Sequence, residues 1–285
     1  MAEVLNGCED YAVPYLDDIA VYSSDWDQHL RDIDEVLKRL GRAQLKVKPS
    51  KCRFGQDRVT YLGHIVGNGI RTPAEVKIKC IAEFPRPTTK SQMRAFLGLT
   101  GYYSRYVKGY SDLTAPLTNT LKGKQKKLEI PWSDDCEKAF QSLKNKLTEQ
   151  PVLYAPDFEK ELIVQCDASN LALGIVLSQV FEGKEHPILY LSKKFSPAER
   201  NYSTIERECA AIVYAVRKLR FYLDGKPFKI QTDHQPLRWL NSHSDTNRRL
   251  LRWSLTLQPF DYTIEDRSGT SNKNADALSR VEIED

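Results

Sequence analysis

LIVQCD at residues 162–167 and FKIQTD at residues 228–233 decide the fold of the C-terminal half. Each is a short run of apolar and strand-favouring residues that ends in an aspartate, as expected of a buried β-strand. The ends of strands in an α/β sheet meet along one edge, where ligands and substrates bind. Asp167 and Asp233 are therefore predicted to lie in one crevice of an α/β sheet.

A long helix is predicted between these two strands, from about Thr204 to Leu223. Its apolar residues recur at steps of four, three, four and three, which is the spacing of one helix face. These residues are Ile205, Cys209, Ile212, Val216 and Leu219. The face they form is expected to pack on the sheet.

Two glutamates of this helix compete for a chemical role. At about 100° per residue, Glu208 falls roughly 60° from the centre of the apolar face, and Glu206 roughly 100°. Glu206 also completes a capping box with Ser203, in which its carboxylate reaches back to the backbone N–H of Ser203. We therefore assign a structural role to Glu206 and expect Glu208 to reach the strand ends.

A fourth acid, Asp276, stands in NKNADALSR near the predicted start of a terminal helix. Asp167, Glu208, Asp233 and Asp276 thus place one carboxylate on each of four elements. Converging acids repel each other unless a cation neutralises them, so the set predicts bound Mg²⁺ or Mn²⁺. Two such ions, about 4 Å apart, would activate a water and stabilise the leaving 3′-oxygen in phosphodiester hydrolysis. Any one of these acids alone is more often an ordinary surface residue, so the prediction depends on the pattern of four.

The N-terminal segment has its own signals. VPYLDDIAVY predicts a β-hairpin with Asp17 and Asp18 at its tip. A helix is predicted to follow, with Ser24 opening a capping box and Gly41 as a stop. Pro151 marks a candidate boundary, after which strands and helices alternate to the end.

Composition limits the classes of protein that the chain can belong to. Its 285 residues suggest two or three compact units, and it has neither an apolar run of about 18 residues nor a signal peptide. The six cysteines are scattered without metal-binding spacing, which indicates reduced, buried thiols in a cytoplasmic or nuclear protein that is not secreted. The net charge of +4 permits contact with nucleic acid without proving it.

The sequence resembles the polymerase polyprotein of gypsy-type long-terminal-repeat retrotransposons. The matching stretches follow the family order along the whole chain. They are YLDDIAVYS, KPSKC-F, YLGHIVGNGI, RAFLGLTGYYSRYV, APLT, QCDASNLALGIVLSQ, SKKFSPAERNYSTIERECAAIVYA, TDHQPLRWL and ADALSR. A single YxDD motif would be moderate support, whereas all these stretches in order leave almost no room for coincidence.

The resemblance implies a mixed α+β (α/β) chain in three parts. These are a C-terminal fragment of a reverse-transcriptase palm (1–72), a helical thumb/connection region (73–150) and an RNase H-like α/β domain with a central mixed sheet (151–285). In the family, aspartates matching Asp17 and Asp18 of the Tyr15-Leu16-Asp17-Asp18 motif hold the Mg²⁺ ions of DNA synthesis. The stretch Tyr61, Leu62, Gly63 and His64 resembles the primer grip. The family's nuclease acids match Asp167, Glu208, Asp233 and Asp276.

From this resemblance we expect a metal-dependent endonuclease that cuts the RNA of RNA–DNA hybrids. Its expected partners are that hybrid and template–primer nucleic acid, in the cytoplasm within a virus-like particle or in the nucleus. Met1 falls sixteen residues before Asp17, so the strand that carries the family's third polymerase aspartate is missing and no primer extension is expected. Two alternatives stay open: a non-catalytic or domesticated nucleic-acid-binding remnant, and a piece of a complete, active reverse transcriptase.

Overall fold

The structure of the chain, a computed structural model, describes residues 1–123, 130–149, 151–232, 240 and 248–266. Two of the predicted nuclease acids, Asp233 and Asp276, lie outside these residues. The protein divides into two compact units, Met1–Leu62 and Gly63–Asp285. The boundary predicted at residue 151 falls inside the second unit, and the division into three parts stays a prediction.

The first unit contains a hairpin and one long helix. The antiparallel hairpin pairs Tyr15 with Asp18, so its two-residue loop consists of Leu16 and Asp17. The predicted hairpin is confirmed, with Asp18 as the first residue of the returning strand. The elements are β1 (Ala12–Tyr15), β2 (Asp18–Val21), α1 (Trp26–Arg42) and β3 (Val59–Tyr61).

The cap of α1 differs from the prediction by one residue. Asp25, rather than Ser24, is the N-cap, and its carboxylate accepts the N–H of Gln28 at 2.9 Å. The Ser24 hydroxyl bonds to the Asp25 side chain instead, at 3.3 Å. Aspartate and serine are both good N-caps, and an ionised carboxylate also complements the positive end of the helix dipole. The helix continues to Arg42, one residue beyond Gly41.

The second unit is built from two sheets and a series of helices. None of the described helices is long and apolar enough to cross a membrane. The elements of its first half are β4 (His64–Gly67), β5 (Ile70–Pro73), α2 (Glu75–Ala82), α3 (Lys90–Tyr102), α4 (Tyr110–Leu113), α5 (Ala115–Asn119) and α6 (Asp134–Thr148). Those of its second half are β6 (Leu153–Tyr154), β7 (Leu162–Ala168), β8 (Ala172–Phe181), β9 (Lys184–Lys194), α7 (Thr204–Lys218), α8 (Arg220–Leu223), β10 (Phe228–Thr232), α9 (Arg248–Leu257) and β11 (Tyr262–Asp266).

The helical half of this unit packs around aromatic side chains. The rings of Phe96 in α3 and Phe140 in α6 lie 4.6 Å apart, and both side chains are buried. Strands β4, β5 and β6 form antiparallel pairs beside these helices. The turn from β4 to β5 is made by Asn68 and Gly69, whose φ angles are +52° and +70°. Asparagine followed by glycine is the preferred sequence for such a two-residue hairpin turn.

The larger sheet has five strands in the order β11-β10-β7-β8-β9. Strands β7, β8 and β9 are antiparallel to their neighbours, whereas β10 runs parallel to β7 and β11 runs parallel to β10. The predicted central mixed sheet is therefore confirmed. Parallel pairing places the C-terminal ends of β7 and β10 at the same edge.

Helix α7 covers one face of this sheet. Of its predicted apolar face, Cys209, Ile212 and Val216 are fully buried in the core formed with β7 and β8. Complete burial of one such aliphatic side chain contributes about 1.5–3 kcal/mol. The helix ends at Lys218, and the short α8 continues the predicted segment to Leu223. The apolar face predicted for this helix is therefore the face that packs on the sheet.

The cysteines follow the prediction in part. None forms a disulfide, and four of the six are buried. Cys52 is half-buried and Cys80 is exposed, so the expectation of burial is wrong for these two. Cys80 lies in the short helix α2, which buries only Ile78 and Ile81.

Candidate active site

Asp167 lies at the end of β7, one residue before the strand stops. Its side chain is 6% exposed, and its Oδ1 accepts the backbone N–H of Ala168 at 2.9 Å. The sheet register sets Asp167 opposite Gly174 of β8, and Gly174 opposite Ser192 of β9. Residues directly opposite each other project to the same face of a sheet. Asp167 and Ser192 therefore share one face, with no side chain between them.

The two glutamates of α7 have separate environments. Ser203 and Glu206 form the predicted capping box: the Glu206 carboxylate accepts the Ser203 N–H at 2.9 Å, and the Ser203 hydroxyl accepts the Glu206 N–H at 3.3 Å. Glu206 also forms an ion pair with Arg249 of α9. Burial raises the pKa of Glu206, but these bonds outweigh it and the pKa is lowered. Glu206 therefore has a structural role that is larger than the sequence suggested.

Glu208, by contrast, is only 2% exposed and faces inward. The position of the Glu208 carboxylate can be judged from its effect on the buried thiol of Cys166. Burial raises the pKa of Cys166 well above its ordinary value, and the charges of Glu208 and Asp167 raise it further. One thiol thus senses both carboxylates, which places Glu208 and Asp167 at the same end of the sheet. Both predicted acids therefore lie within electrostatic range of the Cys166 thiol.

A third carboxylate, which the sequence did not single out, approaches Asp167 from α4. The backbone N–H of Ser111 donates to the Ser192 hydroxyl at 2.9 Å, and that hydroxyl donates to the Ser111 hydroxyl at 3.0 Å. These bonds dock α4 on the face of the sheet that carries Asp167. The pKa of Asp112 is raised to about 6. Burial is the main cause, the charge of Lys194 opposes the rise and the charge of Asp167 adds to it. Asp112 is not part of any sequence motif, so its proximity to Asp167 could be recognised only from the fold.

The predicted polymerase residues occupy the hairpin of the first unit. Tyr15 is 53% exposed, and Asp17 and Asp18 are exposed at the tip. Leu16 has a φ of +52°, which is unusual for a leucine and stores strain at the loop. Tyr61 donates its hydroxyl to the carbonyl of Val13 at 3.1 Å, within the same unit.

The pKa of Tyr61 also depends on the hairpin that carries the YxDD motif. Burial raises it, and the nearby charge of Asp18 raises it further. Tyr61 therefore lies close to the hairpin that carries the YxDD motif. Leu62 and Gly63, which follow in the predicted primer grip, both have positive φ angles, of +48° and +75°. His64 opens β4 in the second unit.

The four-acid metal site is described only in part. Within the described ranges, no group of three or more His, Cys, Asp or Glu side chains is placed to hold a metal ion. Asp167 and Glu208 are described and both lie near the Cys166 thiol, whereas Asp233 and Asp276 lie outside those ranges. The described part of the site is therefore the pair Asp167 and Glu208, and the roles of Asp233 and Asp276 remain predictions.

Comparison with known proteins gives two family matches on the same chain. Residues 1–66 match the reverse transcriptase (RNA-dependent DNA polymerase) family, and residues 157–260 match the RNase H-like domain found in reverse transcriptase. The Pol polyprotein of transposon 297 from Drosophila melanogaster is 42% identical over 276 residues, or 96% of this chain. The chain is thus similar, over nearly its whole length, to a segment of retrotransposon Pol polyproteins.

Other Pol relatives agree with this assignment. The Pol polyprotein of the Drosophila transposon opus is 36% identical over 94% of the chain, and the Tf2-3 polyprotein of Schizosaccharomyces pombe is 36% identical over 96%. This chain spans only 25%, 28% and 21% of the length of the transposon 297, opus and Tf2-3 proteins. It therefore corresponds to about a quarter of each relative.

Solved structures support the fold of this chain. A foamy viral protease–reverse transcriptase in complex with an RNA/DNA hybrid matches all of the chain with a TM-score of 0.82 at 20% identity, over 38% of that protein. Another form, the dRH protein in complex with double-stranded DNA, matches 93% of the chain with the same TM-score at 21% identity, over 47% of its length. At identities this low, the structural match establishes the shared architecture alone.

Proposed function

We propose that this chain is a metal-dependent endonuclease that cuts the RNA strand of RNA–DNA hybrids. The observation that carries the proposal is that two buried carboxylates, Asp167 and Glu208, both lie within electrostatic range of the Cys166 thiol. The RNase H-like family match spans both acids. Asp233 follows β10, which runs parallel to β7, and Asp276 would complete the set of four.

The two described acids fit a divalent cation by their chemistry. Carboxylate oxygens are the ligands that Mg²⁺ and Mn²⁺ prefer in proteins. Both side chains are more than nine-tenths buried, and two buried negative charges in one place are costly without a positive charge. When bound, two such ions would activate water and neutralise the charge of the leaving oxygen. Asp167 and Glu208 would hold them from a strand and a helix, on rigid elements.

Nucleic acid is the proposed partner. The foamy viral reverse transcriptases that share this fold were solved with double-stranded DNA and with an RNA/DNA hybrid. The net charge of +4 suits a polyanionic partner. Recognition of a hybrid depends on its shape, its phosphates and the 2′-hydroxyl, so we expect little dependence on base sequence.

The experiment that tests this function compares four substrates of one sequence. The purified chain is incubated with an end-labelled RNA–DNA hybrid, with duplex RNA, with duplex DNA and with single-stranded RNA, each in Mg²⁺, Mn²⁺ or EDTA. We expect cleavage of the RNA strand of the hybrid alone, with either metal and not in EDTA. Cleavage in EDTA, or equal cleavage of duplex RNA, would overturn the proposal. Binding of the hybrid without cleavage under all conditions would favour a nucleic-acid-binding remnant instead.

A further inference from the structure

Three consecutive side chains near the start of α7 have different surroundings. Glu206 forms its ion pair with α9, and Glu208 is buried. Between them, the half-buried Arg207 donates an N–H of its guanidinium to the side-chain oxygen of Asn170. Asn170 lies 37 positions earlier in the chain, in the turn that joins β7 to β8. This hydrogen bond is named here the Arg207–Asn170 clamp. It links the helix that carries Glu208 to the turn that follows Asp167.

The turn that presents Asn170 is held by its own hydrogen bonds. The Ser169 hydroxyl accepts the backbone N–H groups of Leu171 and Ala172 at 3.1 and 3.0 Å, and it donates to the Ala172 carbonyl at 3.1 Å. The Leu171 carbonyl accepts the N–H of Phe195, a buried core residue that follows β9, at 2.8 Å. The turn is therefore fixed to the sheet, and a bond from α7 to its side chains is a bond to the sheet edge.

Each partner of the Arg207–Asn170 clamp lies close along the chain to one of the two described acids. Arg207 directly precedes Glu208, and Asn170 follows closely after Asp167. The clamp therefore spans the same two elements, α7 and the end of β7, that carry the acids. Both acids are buried, and closely packed interiors transmit small displacements. A change in the clamp should therefore alter the relative position of the two carboxylates.

We propose that Arg207 and Asn170 are positioning residues, which hold the two acids at the separation that a divalent cation requires. Mg²⁺ demands a nearly ideal octahedron of oxygens at about 2.0–2.1 Å, whereas Ca²⁺ accepts flexible sets of oxygens at about 2.3–2.6 Å. When the alignment of the acids is loosened, the affinity for Mg²⁺ should therefore fall more than the affinity for Ca²⁺. This inference rests on the proposed function, because it concerns the metal that this function requires.

The charge of Arg207 and its hydrogen bond predict opposite effects on metal binding. A positive guanidinium near a cation site repels the cation, so the loss of this charge alone would strengthen binding. Loss of the clamp should weaken it. Arg207→Gln removes both the charge and the bond, whereas Asn170→Ala removes only the acceptor of the bond. Weaker binding in both variants would therefore come from the lost hydrogen bond.

The test measures Mn²⁺ binding by electron paramagnetic resonance, in which the signal of free Mn²⁺ reports binding without any cleavage. The binding that is lost in Asp167→Asn identifies the site, and competition with Mn²⁺ gives the affinities for Mg²⁺ and Ca²⁺. Groups bonded directly to a metal ligand typically change metal affinity by about 10- to 100-fold, and the clamp acts less directly. We expect Asn170→Ala and Arg207→Gln each to weaken Mn²⁺ and Mg²⁺ binding by about 3- to 10-fold, and Ca²⁺ binding by at most about twofold. The double variant should bind as weakly as either single variant, because both remove the same bond.

Arg217→Gln is the matched control. Arg217 is also an arginine of α7 that bonds to another element, the hydroxyl of Thr256 in α9 at 3.1 Å, but it lies near the other end of the helix. It should leave all three affinities unchanged.

The outcomes separate the clamp from the proposed function. Wild-type affinities in Asn170→Ala and Arg207→Gln, stronger binding in Arg207→Gln alone, or equal weakening for Mg²⁺ and Ca²⁺ would overturn the clamp and leave the proposed function intact. Binding of Mn²⁺ by the wild-type chain without cleavage of a hybrid would overturn the proposed function and leave the clamp intact. Absence of Mn²⁺ binding by the wild-type chain would overturn both.

Discussion

Replacing Asp112 with asparagine removes a carboxylate whose ionisation the folded protein opposes. Asp112 lies in α4, which is docked on β9 by the two bonds between Ser111 and Ser192. Its pKa is raised from 3.8 to about 6 in total. Burial is the main cause, the neighbouring Lys194 opposes the rise and the charge of Asp167 adds to it. Asparagine keeps the size of the side chain and carries no charge. The substitution therefore isolates the cost of the buried charge.

The size and sign of the effect follow from this pKa. Since one pKa unit corresponds to about 1.4 kcal/mol, a rise from 3.8 to about 6 sets an upper limit of about 3 kcal/mol. A carboxyl group whose pKa is raised on folding contributes stability below pH 3.8, and this contribution is lost as the pH rises through 6. At pH 8 the wild-type protein therefore bears the full cost. Asp112→Asn should raise the free energy of unfolding at pH 8 by about 1–3 kcal/mol.

Urea unfolding at several pH values measures this gain. We expect the stabilisation by Asp112→Asn to be full at pH 8, to fall between pH 6 and pH 4, and to be close to zero at pH 3.5. Asp261→Asn is the matched control, because Asp261 has an exposed side chain, and it should change stability by no more than about 0.5 kcal/mol. Destabilisation of the Asp112 variant at pH 8, or a gain that is the same at pH 3.5, would refute the reasoning.

Two further predictions concern the core and the thiols. Ile212→Ala, which leaves a cavity between α7 and the sheet, should cost about 2–5 kcal/mol in urea unfolding, and a cost below 1 kcal/mol would show that α7 is not packed as described. The exposed Cys80 should react with a maleimide in the native protein, while the fully buried Cys166 should react only after unfolding. Peptide mass spectrometry after brief labelling checks this order, and early labelling of Cys166 would contradict its burial.

The sequence predicted the elements whose signals are local. The capping box of Ser203 and Glu206 and the steps of apolar residues after it placed α7 and its buried face. The same helical phase separated Glu206 from Glu208: in the structure Glu206 is partly buried and paired with Arg249, whereas Glu208 is fully buried. These features depend on residues three or four apart, so their physics can be evaluated before the fold is known.

Features that depend on distant residues could not be predicted. The docking of Ser111 on Ser192 joins residues 81 positions apart, and neither serine stands in a recognisable pattern. The pairing of Glu206 with Arg249 likewise joins α7 to a helix 43 positions away. Even a local signal was ambiguous where two good caps, Ser24 and Asp25, stand side by side. Only the tertiary packing decides such cases.

The central claim is that Asp167 and Glu208 act together in metal-dependent cleavage of RNA. The most direct test measures single-turnover cleavage of an RNA–DNA hybrid in Mg²⁺ by the wild-type chain and by Asp167→Asn, Glu208→Gln and Glu206→Gln. Circular dichroism melting of each variant shows whether it is folded. We predict that Asp167→Asn and Glu208→Gln fold and lose cleavage by several orders of magnitude. Glu206→Gln should cleave within about tenfold of the wild type and lose about 1 kcal/mol of stability through its cap. Wild-type rates for Asp167→Asn or Glu208→Gln, or loss of cleavage confined to Glu206→Gln, would contradict the claim.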